Sequence, residues 1–375
     1  MKLGSAFEPR NNALNAWRLL LATEVILFHS FQLTDRLPSR AVLQLLFSVG
    51  VDGFFALSGF LITASWLRNP HIRDYLLARA LRILPGYYIV LIVTAFVFAP
   101  LSVVIQGRSP LDILGSFAPV DYVLKNIALL QLQFDVAGTP LDVLYPGRWN
   151  GSLWSLIFEV ACYLAVAALG VLGLAHRRWV SPVILVLATF GALALPPLTV
   201  PGLWTLPQLA VRTAIMFAAG AVLYHWRDVI PAKWSLVAVS VAVVLASSML
   251  PDYRVVAALP LAYAVVVSGV LIKNERLNLK TDLSYGVYVY AFPIQQLLAV
   301  AGLARLNPVA FFVISTVVTL VPALLSWFLV EKRALALKTR LKRRNNQPAA
   351  SSRSRRGGPG MNWTGQAQLR GRYLP

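Results

Sequence analysis

Leu14 to Leu33 reads LNAWRLLLATEVILFHSFQL, twenty residues whose apolar run is broken by Arg18, Glu24 and His29. That length and composition are those of a membrane-spanning helix. Ionisable groups in such a helix are costly and face a protein interior or a watery cavity rather than lipid. Arg18 and His29 are eleven residues apart, which brings them within about 20° of one azimuth and ~16 Å apart along the axis. One face therefore carries a cation near one membrane surface and a proton-transfer group deeper in.

The rest of the chain agrees with a membrane setting. Of 375 residues, 58% are hydrophobic and 13% charged, and the mean hydropathy is +0.66. A soluble domain carries roughly 25% charged residues, so the composition is that of a polytopic membrane protein. The single cysteine, Cys162, lies in an apolar run and reads as a packing residue. The first apolar run has no small-residue cleavage site and is expected to act as an uncleaved signal anchor. The net charge of +19 is concentrated at one end: Lys332 to Pro375 contributes twelve Lys or Arg and no acid. This segment, rich in Ser, Gly, Pro, Gln and Arg, is read as a disordered tail drawn to anionic headgroups, rather than as a nucleic-acid-binding arm.

Working outward, apolar runs fall at about 14–33, 41–67, 75–99, 152–175, 180–197, 205–225, 234–250, 255–272, 283–303 and 308–330, each judged against the thickness of a bilayer. The expected fold is all-α with about ten transmembrane helices. Residues 1–13 form an N-terminal segment, 14–331 the membrane domain, and 332–375 the basic tail. With both termini in the cytoplasm, every basic connection lies inside, as the positive-inside rule demands. Pro100 to Gly151 is then one extracytoplasmic segment, and Asp121 to Phe134 within it is expected to be an interfacial or re-entrant helix. Asn150-Gly-Ser is formally a glycosylation sequon, with nothing else pointing to a eukaryotic secretory setting.

Chemistry-bearing residues recur inside these runs. Asp52 and Ser58 interrupt VGVDGFFALSGFLIT in the second, among glycines that read as close-packing positions. Arg79 and Arg82 in RDYLLARALRILPGYY share a face by their i, i+3 spacing. Glu159 in WNGSLWSLIFEVACYL counts to about 10 Å below the outer surface, a depth close to that of His29. Arg212 falls in the outer half of the sixth run, and Tyr288 lies in LSYGVYVYAFPIQQ. The charges sort into a cationic inner layer of Arg18, Arg79 and Arg82 and an outer layer of His29 and Glu159. No His, Cys, Asp or Glu cluster has metal-ligand spacing, so no metal is expected.

The spacing of Arg18 and His29, GVDGFFALSGFLIT, RALRILPGYY, SLWSLIFEVACYL and LSYGVYVYAFPI, in that order over Leu14 to Lys332, resembles the motifs of acyltransferase family 3. These are membrane-bound O-acyltransferases that decorate surface polysaccharides and related glycans. The resemblance implies that Arg18 and His29 are paired essential residues, Arg79 and Arg82 the family's RxxR, and Glu159 the acid of its WSLxxE motif. Two positions depart from the pattern. Ala291 stands where a histidine often precedes Phe-Pro, which weakens any role for the late motif in catalysis, and Glu24 occupies a position usually apolar.

The resulting expectation is an enzyme of the bacterial cytoplasmic membrane that moves an acyl group, most simply acetyl, from acyl-CoA to a hydroxyl of a glycan or glycolipid acceptor. Arg18, Arg79 and Arg82 suit the CoA phosphates. His29 suits the general base, with Glu159 orienting its imidazole as a triad acid does. Asp52, Ser58, Arg212 and Tyr288 are candidates for the acceptor site or for structural pairing. The donor is a substrate, and no bound cofactor is expected. A transporter or flippase using the same charges for binding and proton coupling is the competing reading, and a polytopic scaffold with structural ion pairs is a third.

Overall fold

The computed structural model describes residues 1–198, 202 and 204–337, and these are all-α. In chain order the helices are α1 (Leu3–Ala6), α2 (Leu14–Leu33), α3 (Arg40–Arg68), α4 (Ile72–Val93), α5 (Ala99–Ile105), α6 (Leu111–Leu114), α7 (Ala118–Asn126), α8 (Ser155–Val171), α9 (Val180–Ala194), α10 (Leu206–His225), α11 (Trp234–Ser247), α12 (Arg254–Leu271), α13 (Ser284–Val300) and α14 (Pro308–Ser326). A π-helical turn at Thr94–Phe98 joins α4 and α5 into one rod, and another at Trp327–Glu331 extends α14 as far as Leu337. Residues 332–337 are thus helical, while the remainder of the expected disordered tail lies outside the described residues.

A helix overlaps each of the ten apolar runs, from 14 residues in α11 to 29 in α3, because a helix satisfies its own backbone where no water is available. Five helices are long and apolar enough to cross a membrane: Arg40–Arg68, Ile72–Ile105, Leu206–His225, Arg254–Leu271 and Pro308–Leu337. Ser155–Val171, Val180–Ala194 and Trp234–Ser247 are apolar but shorter. The periphery is built for lipid. Val309, Val313, Val317 and Val321 repeat every fourth residue along α14 and are all more than half exposed, an apolar stripe too long for a water-facing surface.

The interior is organised on α3 and α10, whose backbones meet at reciprocal glycines. A Cβ on Gly59 would lie 1.9 Å from the Phe217 carbonyl oxygen, and one on Gly220 would lie 1.9 Å from that of Ala56. This is the small-residue contact by which membrane helices approach closely.

The segment between α5 and α8 is tied down over the bundle. The helix here is Ala118–Asn126, earlier than the expected 121–134, and nine residues are too few to cross a bilayer. Tyr87 Oη donates to the Asn126 carbonyl (2.6 Å), Gln131 Nε2 to the Asn150 carbonyl (2.8 Å) and Gln296 Nε2 to the Arg148 carbonyl (2.6 Å). The Asn150 side chain, 2% exposed, donates to Tyr122 Oη, so the formal sequon is a buried anchor.

Candidate active site

His29 sits three turns along α2 from Arg18, as the spacing predicts, with only 8% of its surface exposed. Its Nδ1 lies 2.8 Å from the Val25 carbonyl oxygen one turn earlier. A carbonyl only accepts, so Nδ1 carries a proton, and in the neutral imidazole Nε2 is left with the lone pair. The ring is wedged edge-on against Phe28 and Phe292, at centroid distances of 5.0 and 4.9 Å. His29 lines a cavity of about 80 Å³ together with Gln32, Arg148, Trp154, Trp204 and Tyr288.

A second cavity, of about 40 Å³, contains Arg18, Arg82, Ser58, Ser155, Glu159 and Tyr288. Arg18 Nη1 and Arg82 Nη2 both donate to one oxygen of Asp282, at 2.8 and 2.5 Å. The other oxygen of Asp282 accepts from the hydroxyl and backbone N–H of Ser284 at the start of α13. One carboxylate therefore gathers guanidinium groups from α2 and α4, while each arginine gives it only one of its nitrogens. Val51 and Tyr288 line both cavities. Tyr288 Oη is fixed there, 2.6 Å from the Ser152 carbonyl oxygen and 2.7 Å from Ser155 Oγ.

Three sequence expectations are corrected by this geometry. Glu159 shares the arginine cavity instead of an outer layer with His29, and the imidazole proton is taken by Val25, not by a carboxylate. Glu159 Oε1 accepts from Tyr163 Oη and, at 3.5 Å, from Ser58 Oγ. The depth count failed because the chain enters the protein without a helix: Trp149, Asn150 and Leu153 are already buried before α8 begins at Ser155. Arg79, though one turn from Arg82, turns away from the cavity. Its Nη2 meets Ser65 Oγ at 3.2 Å and its guanidinium lies 5.8 Å from the rings of Tyr75 and Tyr163.

Asp52 and Arg212 are buried in a further network, with the Arg212 guanidinium over the Phe47 and Trp154 rings that line the His29 cavity. Asp52, 0% exposed, accepts from Arg212 Nε (3.0 Å), Arg254 Nε (2.7 Å) and Tyr253 Oη (2.5 Å). Arg254 also donates to Ser48 Oγ (2.6 Å), and Arg212 to the Phe47 carbonyl (3.2 Å). Glu24, the unusual residue of α2, has its carboxylate buried against the Gly50 backbone.

Sequence reasoning missed Asp282, Arg254 and Ser155. Asp282 and Arg254 lie at helix ends, where a charged residue reads as an ordinary loop or interface residue. The late motif, doubted for its missing histidine, in fact supplies Phe292 and Tyr288 to the His29 cavity and stands directly after Asp282.

The family model described as "Acyltransferase domain" matches residues 11–328. The chain is 27% identical over 345 residues to "O-acetyl transferase" of Shigella phage Sf6, covering 87% of this chain and 96% of that protein. It is 26% identical over 364 residues to "Nodulation protein 10" of Rhizobium leguminosarum bv. viciae, covering 88% and 95%. No solved structure matches. With its apolar helices and a family match over most of its length, the chain belongs to acyltransferase family 3 and is an integral membrane O-acyltransferase.

Proposed function

We propose that this enzyme transfers an acyl group, most simply acetyl, from acyl-CoA to a hydroxyl of a glycan or lipid-linked glycan at the bacterial cytoplasmic membrane. One observation carries the reading: a histidine with a free Nε2 stands in a cavity that shares Tyr288 and Val51 with a two-arginine cavity. Arg18 and Arg82 would hold CoA phosphate through charge-assisted hydrogen bonds, and the pantetheine arm would run past Tyr288 toward His29. Both cavities are smaller than these substrates, so binding must widen them. Arg148, Trp154 and Trp204 flank the acceptor side.

His29 Nε2 takes the proton of the acceptor hydroxyl as its oxygen attacks the thioester carbonyl. The C–S bond then breaks, and the thiolate of CoA recovers the proton from Nε2. A covalent acyl-histidine route would use the same lone pair as nucleophile, and single-turnover trapping of acylated protein without acceptor separates the two.

The direct test is acyl transfer from acyl-CoA by purified protein, with mass spectrometry of surface glycans from a deletion strain identifying the acceptor. Loss of Arg18 or Arg82 removes a hydrogen bond to charged phosphate worth about 1.5–3 kcal/mol. Arg18→Ala and Arg82→Ala are therefore expected to raise the donor KM by about 10- to 100-fold with the acceptor KM nearly unchanged. Asp282→Asn, which releases both guanidiniums from their shared anchor, and Glu159→Gln should follow the same pattern more mildly. Unchanged donor KM in both arginine variants would remove the phosphate from this cavity.

The membrane reading places the loop around residue 178 in the cytoplasm and residues 125 and 145 outside. Cysteine-accessibility labelling in intact cells is expected to modify engineered cysteines at 125 and 145 but not at 178. Labelling at 178 would require an additional crossing between α5 and α8.

A further inference from the structure

A third cavity, of about 130 Å³, lies between α8 and α9, away from the catalytic groups and floored by α3 and α10. Trp66, Ala165, Leu169, Ile184, Phe217 and Ala218 are among its walls. Its one histidine is fully engaged: His225 Nδ1 meets Ser181 Oγ and Nε2 meets the Ala175 carbonyl, both at 2.9 Å. The indole Nε1 of Trp66, by contrast, is buried without a hydrogen-bond partner. A cavity of this size lined by apolar groups stays dry and takes an apolar guest.

What surrounds the mouth identifies that guest. Ala175, Val180 and Ser181 line the cavity, and the exposed Arg177, Arg178 and Trp179 lie between them in the connecting loop. Leu67 also lines it, followed at once by exposed Arg68. Arg178 and Arg227 share one distant carboxylate, Asp228, at 3.9 and 4.0 Å, so cations outnumber acids at this rim. An apolar slot between membrane helices with a basic, tryptophan-bearing rim has the two parts that an anionic lipid requires.

We propose that the cavity between α8 and α9 binds an anionic glycerophospholipid, one acyl chain filling the slot and the phosphate seated on Arg177 and Arg178. Such a lipid completes the packing between two helices that otherwise leave a void, and it does so without touching the His29 or Arg18 cavities.

The test is native mass spectrometry of the full-length protein in mild detergent, titrated with phosphatidylglycerol or with phosphatidylcholine of identical chains. The first phosphatidylglycerol should bind on the order of 10-fold more tightly, since each basic residue near the headgroup contributes separately. The double variant Arg177→Ala/Arg178→Ala, altered only at exposed positions, should lose most of that preference. Ala165→Phe, which fills the slot from its exposed α8 wall, should weaken both lipids alike. Equal binding of the two lipids by the unaltered chain would overturn the proposal, as would a preference untouched by the arginine substitutions. If Ala165→Phe fails to accumulate, the arginine pair alone decides.

Discussion

His29→Ala is expected to lower kcat by at least ~10²-fold while leaving the donor KM close to that of the unaltered enzyme. The asymmetry follows from where the side chain sits. It is buried between Phe28 and Phe292, and its Nδ1 proton is committed to the Val25 carbonyl. What it offers a substrate is one lone pair, needed only while the hydroxyl loses its proton. An interaction confined to the transition state appears in kcat and kcat/KM together. The donor contacts proposed for Arg18 and Arg82, which pair with Asp282 in the adjoining cavity, should survive. Steady-state kinetics with acyl-CoA as the varied substrate, on protein of unchanged thermal stability, checks this. Wild-type turnover by folded His29→Ala protein would mean that another group is the base.

The second large effect is on folding. Asp52→Ala leaves Arg212 and Arg254 facing each other with no shared carboxylate, both buried to 2% and 3% exposure. Breaking a buried ion pair by removing one partner costs about 3–5 kcal/mol, a large fraction of the total stability of a typical domain. Asp52→Ala protein is expected to accumulate poorly, or to unfold at a clearly lower temperature in detergent. Asp52→Asn keeps an acceptor oxygen but not the charge, so its loss should be smaller. Size-exclusion yield and thermal unfolding measure both. An Asp52→Ala protein with normal unfolding but a raised acceptor KM would instead place Asp52 in the acceptor site.

The helical architecture was legible because lipid imposes it. Ten apolar runs predict ten helices, and α2 runs unbroken through both Arg18 and His29. A helix determines azimuth and rise for residues within itself, and those are properties of a single stretch of chain. Glu159 shows where such counting ends. Its depth depends on how residues 149–154 enter the protein, and they do so folded and buried rather than as the first turn of a helix.

The partners of the charged groups belong to tertiary structure alone. Arg18 and Arg82 meet at Asp282, which lies 264 and 200 residues away in the chain. Asp52 meets Arg212 and Arg254, 160 and 202 residues distant. Periodicity shows that such residues turn inward, since an ionised side chain is not left in lipid. It carries no record of which inward faces will touch. That choice is made by packing, through close contacts such as Gly59 and Gly220 that set how helices cross. The sequence by itself therefore determined a membrane bundle with a buried Arg and His on one face. The tertiary structure decided that the histidine stands with Tyr288 and Phe292, that the two arginines share one aspartate, and that Glu159 joins them.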